Sequence, residues 1–307
     1  MKNITIICPV YNEEENIKIF VATFSQIFEK YKDLSFSILF ADNNSTDKSY
    51  DIIKSICKNN DKIKYIRYSK NYGVMKSIYA ALAHIDSDAC CVFDCDLQDP
   101  AILLDEFITH WKDGYEIIYG KRVKRIESFH LSVLRIFFKK ISFWVRGFNI
   151  EIESGAWFFD KNVVSEIKNC DFEPYLPVLI NGLDFKKKSV PYERNDRKFG
   201  NSKFNIFKYL SYAADGLVSG TTRPLRISIF ISFIFALFSF AASIYFILAK
   251  FFLNIVFEEG VAAIIIINLI SFSLIFFCFA ILAEYVGKIY LREENNKQVI
   301  IKHKINL

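Results

Sequence analysis

Two aspartates stand two residues apart at the end of Cys90-Cys91-Val92-Phe93-Asp94-Cys95-Asp96-Leu97-Gln98-Asp99-Pro100. The four apolar residues before them read as a short buried strand that runs out into acid. In extended backbone alternate side chains leave the same face, so Asp94 and Asp96 are expected to converge on one cation. Carboxylates suit Mg²⁺ or Mn²⁺, ions usually held by one or two carboxylates together with substrate phosphates. Asp99-Pro100 reads as a helix N-cap followed by proline at the first helical position, opening a helix through Lys112 with Gly114 as its stop. The plain alternative is that a strand end simply needs polar residues.

The elements that must position these acids follow an alternating pattern. Ile4 to Cys8 is a predicted strand closed by Pro9, and Ile17, Phe20, Val21, Phe24, Ile27 and Phe28 then recur at helical spacing. Phe36 to Ala41 is a second strand running into Asp42-Asn43-Asn44-Ser45-Thr46-Asp47. A polar loop after a parallel strand is where doubly wound sheets bind nucleotides, so Asp42 is a candidate for a base or ribose hydrogen bond; as a plain turn it would only cap a helix. Ile63 to Tyr68 supplies a third strand, Val74 to Ile85 a helix, and the Cys90 stretch the fourth strand. The alternation predicts an open, mostly parallel α/β sheet with its carboxyl-end loops gathered on one edge.

Composition narrows the class. The 307 residues carry a formal charge of only +5 with acids and bases interleaved, which argues against a nucleic-acid binder and leaves room for phosphates or anionic headgroups. Seven cysteines without a C-x-x-C pair and four scattered histidines predict reduced, mostly buried thiols in the cytosol and no zinc site. No signal peptide is read at the N-terminus. From Phe129 to Phe148 a basic amphipathic segment fits either a helix on a membrane surface or an oligomer contact. Two uncharged apolar runs, 227–249 and 261–283, each have the length to cross a bilayer as helix. The charges flanking them, Arg223, Arg226, Lys288 and Arg292, predict that both chain ends lie in the cytoplasm.

Four ordered motifs carry a family resemblance. Pro9-Val10-Tyr11-Asn12-Glu13-Glu14, Asp42 to Asp47, Asn71-Tyr72-Gly73 and Asp94 to Pro100 resemble the GT-A family 2 glycosyltransferases, and more narrowly their polyprenyl-phosphate sugar transferase group. The long acidic motif is more specific than Asp-x-Asp alone. Ile117 to Arg125 and Glu193-Arg194-Asn195-Asp196-Arg197-Lys198-Phe199-Gly200-Asn201-Ser202-Lys203 extend the likeness. Two departures stand out: Ser154-Gly155-Ala156-Trp157 replaces a customary Gly-Asp-Phe-Arg, leaving Glu151 or Glu153 as substitutes, and Asn43 stands where a second aspartate is usual.

The resemblance implies a GT-A (Rossmann-like) catalytic domain over 1–202, a juxtamembrane interfacial helix over 203–224, a transmembrane hairpin within 225–287 and a tail over 288–307. It implies an inverting transferase that moves a sugar from a nucleotide-diphosphate donor, UDP-linked, to polyprenyl phosphate. The setting would be the cytoplasmic face of the cell membrane, with the enzyme a homo-oligomer such as a tetramer. Asp96 is then the first choice as ligand for Mg²⁺ or Mn²⁺, with Asp94 and Gln98 beside it. Pro9, Tyr11, Glu13 and Asp42 would line the nucleoside pocket. Arg122, Arg125, Arg194, Arg197 and Lys203 would face the diphosphate or the acceptor phosphate, where guanidinium groups grip oxygens bidentately. Two rival readings stay open, a processive polysaccharide synthase and a catalytically silent scaffold that binds nucleotide sugar.

Overall fold

The computed structural model describes residues 1–123, 156–169, 182–195, 260–295 and 299–307, with positions 140, 180, 230 and 234 besides. The chain divides into two compact units, one of residues 1–138, 149–212 and 298–307, the other of 139–148 and 213–297. The first unit is built on an eight-stranded sheet. Its strands are β1 (Lys2–Val10), β2 (Leu34–Asp42), β3 (Ile63–Tyr68), β4 (Ala89–Val92), β5 (Ile117–Arg122), β6 (Trp157–Asp160), β7 (Lys187–Tyr192) and β8 (Ile301–Ile305). They stand in the order β7-β5-β6-β4-β1-β2-β3-β8. Only β6 and β8 run against the rest, so the expected mostly parallel α/β sheet is present.

The helices of this unit are α1 (Ile17–Phe28), α2 (Ser49–Asn59), α3 (Val74–Leu82), α4 (Leu103–Lys112) and α5 (Lys161–Lys168). Period-two alternation splits the core between the two faces of the sheet. Ile4, Ile6, Cys8 and Val10 of β1 join Phe20 and Phe24 of α1, Ile53 of α2 and Phe107 of α4 on one side. Ile7, Leu39 and Cys90 meet Ile78 of α3 and Val163 of α5 on the other. The helical spacing of Ile17, Phe20, Phe24 and Ile27 puts all four of these side chains in the core. Cys8, Cys57, Cys90, Cys91 and Cys95 are buried free thiols, as the cysteine pattern predicts. Burial pushes the Cys57 thiol up to about 11, which keeps it unreactive.

Two boundaries differ from the sequence reading. β1 does not close at Pro9 but continues to Val10, pairing Pro9 with Ala41 of β2. Proline is tolerated there because Ile7 and Pro9 share the side that faces β4, and β4 pairs only with Ile4 to Ile7. The missing N–H therefore falls where β1 and β4 have already parted. The helix predicted to open at Pro100 starts instead at Leu103; Asp99 does not cap it, and a turn through Ala101 and Ile102 intervenes.

The second unit contains α6 (Val261–Asn295), which covers the second predicted apolar run. Its segment Ile270–Gly287 has a mean hydropathy of 2.0, and among the described residues none of its side chains is buried. Among the described residues it is the one helix long and apolar enough to cross a membrane. The first run, 227–249, lies outside the described residues apart from Phe230 and Ile234, both exposed. The basic segment 129–148 (save Lys140) and the interfacial segment 203–224 also lie outside them.

The packing yields a stability prediction. Phe107 is fully buried between Phe93 and Phe158, with ring centroids at 6.0 and 6.3 Å. Phe107→Ala should cost about 3–5 kcal/mol by leaving a cavity, read as a lowered Tm of the detergent-solubilised protein.

Candidate active site

Parallel strands deliver their carboxyl ends to one edge of the sheet, and five loops meet there. Tyr11 follows β1, Asp42 ends β2, Asp94 follows β4, Arg122 ends β5, and Arg194 follows β7. Strand order reverses between β1 and β4, because β2 and β3 lie on one side of β1 and β4 on the other. Such a switch point opens a crevice outside the strand ends, the usual ligand position in open α/β sheets.

Asp94 and Asp96 do occupy this edge, but not in extended backbone as predicted. β4 stops at Val92, and the chain turns through Cys95 and Asp96, with Leu97 N–H reaching the Asp94 carbonyl at 3.4 Å and Leu97 at φ 52°. Asp96 Oδ1 accepts the Gln98 N–H at 3.2 Å, which ties the acid into the turn. A turn, not strand alternation, therefore presents these acids.

Asp99 has a role the sequence reading missed. It is buried, and its Oδ1 accepts the Tyr192 hydroxyl at 2.5 Å and Arg122 Nη2 at 3.4 Å, with Arg194 Nε at 3.6 Å. Tyr192 in turn accepts from Arg122 Nε at 3.0 Å. Asp99 Oδ2 is buried with no hydrogen-bond partner. The Gln98 carbonyl accepts Asn195 N–H at 2.8 Å, so the acidic turn and the segment after β7 are fastened twice. The sequence signal for this was the pairing of the aromatic Tyr192 with Arg194 at the end of a strand, which pattern reading had no reason to join to Asp99.

Charge in the cluster is unbalanced. Although some of Asp94 still meets solvent, enclosure by protein pushes its carboxyl up to about 7, and the neighbouring Asp99 and Asp96 add to the effect. Burial works against the Arg122 charge, but Asp99 and Tyr192 outweigh it and hold the guanidinium firmly protonated. No group of three or more His, Cys, Asp or Glu among the described residues is arranged to hold a metal. The acids fit a hard divalent ion in a narrower sense: two carboxylates offer a partial ligand set, and excess negative charge around Asp94 is what a cation would relieve.

On the other side of the crevice the loops after β1 and β2 are laced together. Asn12 and Glu13 donate backbone N–H groups to the hydroxyls of Ser45 and Ser49, each at 3.0 Å, and Asn12 Oδ1 accepts Thr46 N–H at 2.8 Å. Asp42 is fully buried: Oδ1 accepts from Ser45 N and Oγ at 2.8 and 2.6 Å, and Oδ2 from the Tyr65 hydroxyl at 2.5 Å. Its carboxylate thus organises the loop that the motif forms. Glu13 is engaged locally by Asn16 at 2.7 Å, Pro9 is buried within β1, and Tyr11 is half-buried at the rim. Gln98, Arg122 and Arg194 gather with the acids; Arg125, Arg197 and Lys203 lie outside the described residues, as do Glu151, Glu153, Ser154 and Gly155.

The raised Asp94 carboxyl has consequences for pH. Between the ordinary aspartate range and about 7 the folded protein holds a proton that the unfolded chain has lost, so stability of the metal-free protein falls as pH rises through that window. A divalent cation needs the ionised form, so its apparent affinity should fall about tenfold per pH unit below pH 7 and level off above it. Calorimetric titration with Mn²⁺ across that range checks this, with Asp94→Asn expected to flatten the profile.

Comparison with known proteins agrees with this architecture. A Bacillus subtilis protein named uncharacterized glycosyltransferase YkcC is 27% identical over 301 residues, covering 97% of this chain and 93% of its own. The bactoprenol glucosyl transferase of Shigella phage SfX is 28% identical over 305 residues, covering 97% and 98%. The crystal structure of a mycobacterial protein superposes with a TM-score of 0.50 at 13% identity, over 69% of this chain and 72% of that one, and shares its fold. The profile of glycosyl transferase family 2 matches residues 5–167, over half the chain, and the protein belongs to that family.

Proposed function

We propose that this protein transfers a sugar from a nucleoside-diphosphate donor, UDP-linked, to polyprenyl phosphate at the cytoplasmic face of a membrane. The observation that carries this is the meeting, at one switch-point crevice, of the acids Asp94 and Asp96 with the Arg122 and Arg194 guanidiniums, which Asp99 holds beside them by direct ion pairs. Acids that want a cation and cations that want an anion are the two halves of a metal–diphosphate site. The bactoprenol glucosyl transferases that align along nearly the whole chain supply the acceptor class.

α6 and the sheet together support membrane attachment. Residues 298–307 belong to the same unit as the N-terminal residues, so a chain that leaves this unit must return on the same side. If α6 crosses the bilayer, a second crossing is required before it, and 227–249 has the apolar length for it. That gives a hairpin with the catalytic unit and both chain ends on the cytoplasmic side, in keeping with the positive charges that flank it.

One in-line displacement accounts for the chemistry. An oxygen of the acceptor phosphate attacks the anomeric carbon, the bond to the nucleoside diphosphate breaks on the opposite face, and configuration inverts. With a second pKa of about 6, the phosphate monoester is mostly ionised and needs little help from a base. Mg²⁺ or Mn²⁺ held by Asp96, with Asp94 and Gln98 nearby, would supply positive charge at the departing diphosphate. Arg122 and Arg194, beside the same turn, would orient those phosphates, and Arg125, Arg197 and Lys203 are assigned there by motif. Pro9, Tyr11, Glu13 and Asp42 form the nucleoside side of the crevice.

Purified protein in lipid nanodiscs should release UDP only when UDP-sugar, a divalent metal and undecaprenyl phosphate are all present. Asp96→Ala and Arg122→Ala should each lower kcat/KM by about 100-fold or more. Nucleotide binding without lipid-dependent turnover would favour a silent scaffold, and products longer than one sugar would favour a processive synthase.

A further inference from the structure

Because β8 runs antiparallel to β3, its entry at Ile300 lies at the carboxyl edge of the sheet, beside the loops that follow β2 and β3. Three fastenings hold the strand there. The Ile300 carbonyl accepts Ser69 N–H at 2.9 Å, and Ile300 N–H is donated to the Tyr72 hydroxyl at 3.3 Å. His303 stands opposite Arg67, with its ring 5.8 Å from that of Tyr50, and the same Tyr50 ring carries the Arg67 guanidinium at 4.8 Å. Asn306 Nδ2 donates to the carbonyls of Cys57 and Ile63, both at 2.9 Å.

The residues that β8 grips are those that shape the two motif loops. Arg67 donates to the Ser45 carbonyl at 2.8 Å and stands 3.8 Å from Asp42 Oδ2, while its buried Nε has no hydrogen-bond partner, so packing from Tyr50 contributes to its position. Tyr72 donates its backbone N–H to Asn43 Oδ1 at 3.3 Å, joining the Asn71-Tyr72-Gly73 loop to the Asp42 loop. One short strand therefore braces both loops from outside, once through Tyr50 and Arg67 and once through Tyr72.

We infer that β8 is a positioning strand for donor binding: by holding Arg67 it fixes the Asp42 loop on the nucleoside side of the crevice, and by holding Tyr72 it fixes the Asn71-Tyr72-Gly73 loop that is joined to it. The inference rests on the proposal that this crevice takes a nucleoside diphosphate. A strand that merely covered the β3 edge would also stabilise the fold, so stability alone does not separate the two roles; affinity for nucleotide does.

The test uses the full chain in detergent, with UDP affinity measured by calorimetry in the presence of Mn²⁺ and with donor KM and kcat measured separately. His303→Ala and Tyr72→Phe should each weaken UDP binding about 3–10-fold, the worth of one lost contact, and donor KM should move more than kcat. His303→Phe, which keeps a ring against Tyr50, should recover most of the affinity. Removal of residues 299–307 should abolish UDP binding, and a synthetic peptide of those residues added in trans should restore it. Variants that melt earlier yet bind UDP like the parent protein would overturn the inference and leave the donor-site proposal standing. A parent protein that binds no UDP would overturn both.

Discussion

A carboxylate buried among other carboxylates must find positive charge or take up a proton, and that constraint governs the active edge of this protein. Three acids, Asp94, Asp96 and Asp99, lie close to two guanidiniums, Arg122 and Arg194, and both guanidiniums pair with Asp99. All of its contacts go to one oxygen, while the other is buried with no partner. The protein has therefore used its fixed cations on the acid farthest along the turn and left Asp94 to share the deficit. Substrate chemistry suits that imbalance, since a divalent ion and a diphosphate together bring charges of both signs to an edge that displays both.

The sheet makes this concentration of charge possible. Six strands point their carboxyl ends the same way, so a residue placed just after each of five strands reaches the crevice without any long loop. Pro9 contributes from the backbone. Because its absent N–H faces the side from which β4 has departed, it closes off further pairing there and helps keep the crevice open between β1 and β4. Gly73 has a comparable part at α3: its φ of 85° is a conformation that side chains resist, and it lets the chain turn from Tyr72 directly into the helix.

Most of this was legible in the residues. The apolar runs Ile4 to Cys8 and Phe36 to Ala41, and the helical spacing of Phe20 and Phe24, depend on local burial and so were readable from one sequence. The acidic motif was readable as chemistry but not as geometry. Whether Asp94 and Asp96 sit in a strand or a turn depends on where β4 loses its partner, which is a tertiary fact. Asp99 before Pro100 has the local grammar of a helix cap, and the competing claim came from Arg122, Tyr192 and Arg194, up to 95 residues away in sequence, which no spacing rule connects. Ile301 to Ile305 is short and mixed with lysine and histidine, so nothing in it distinguishes an edge strand from a charged tail.

β8 also bears on the order in which the sheet is completed. An edge strand normally needs protection from stray pairing, and here the protection for β3 comes from the far end of the chain, after α6. Placing the cover there means the sheet is complete only once α6 has been synthesised. The loops that β8 braces, around Asp42 and Tyr72, then take their final form last, after α6 has been made. A cover strand that preceded α6 would have protected the same edge without that ordering.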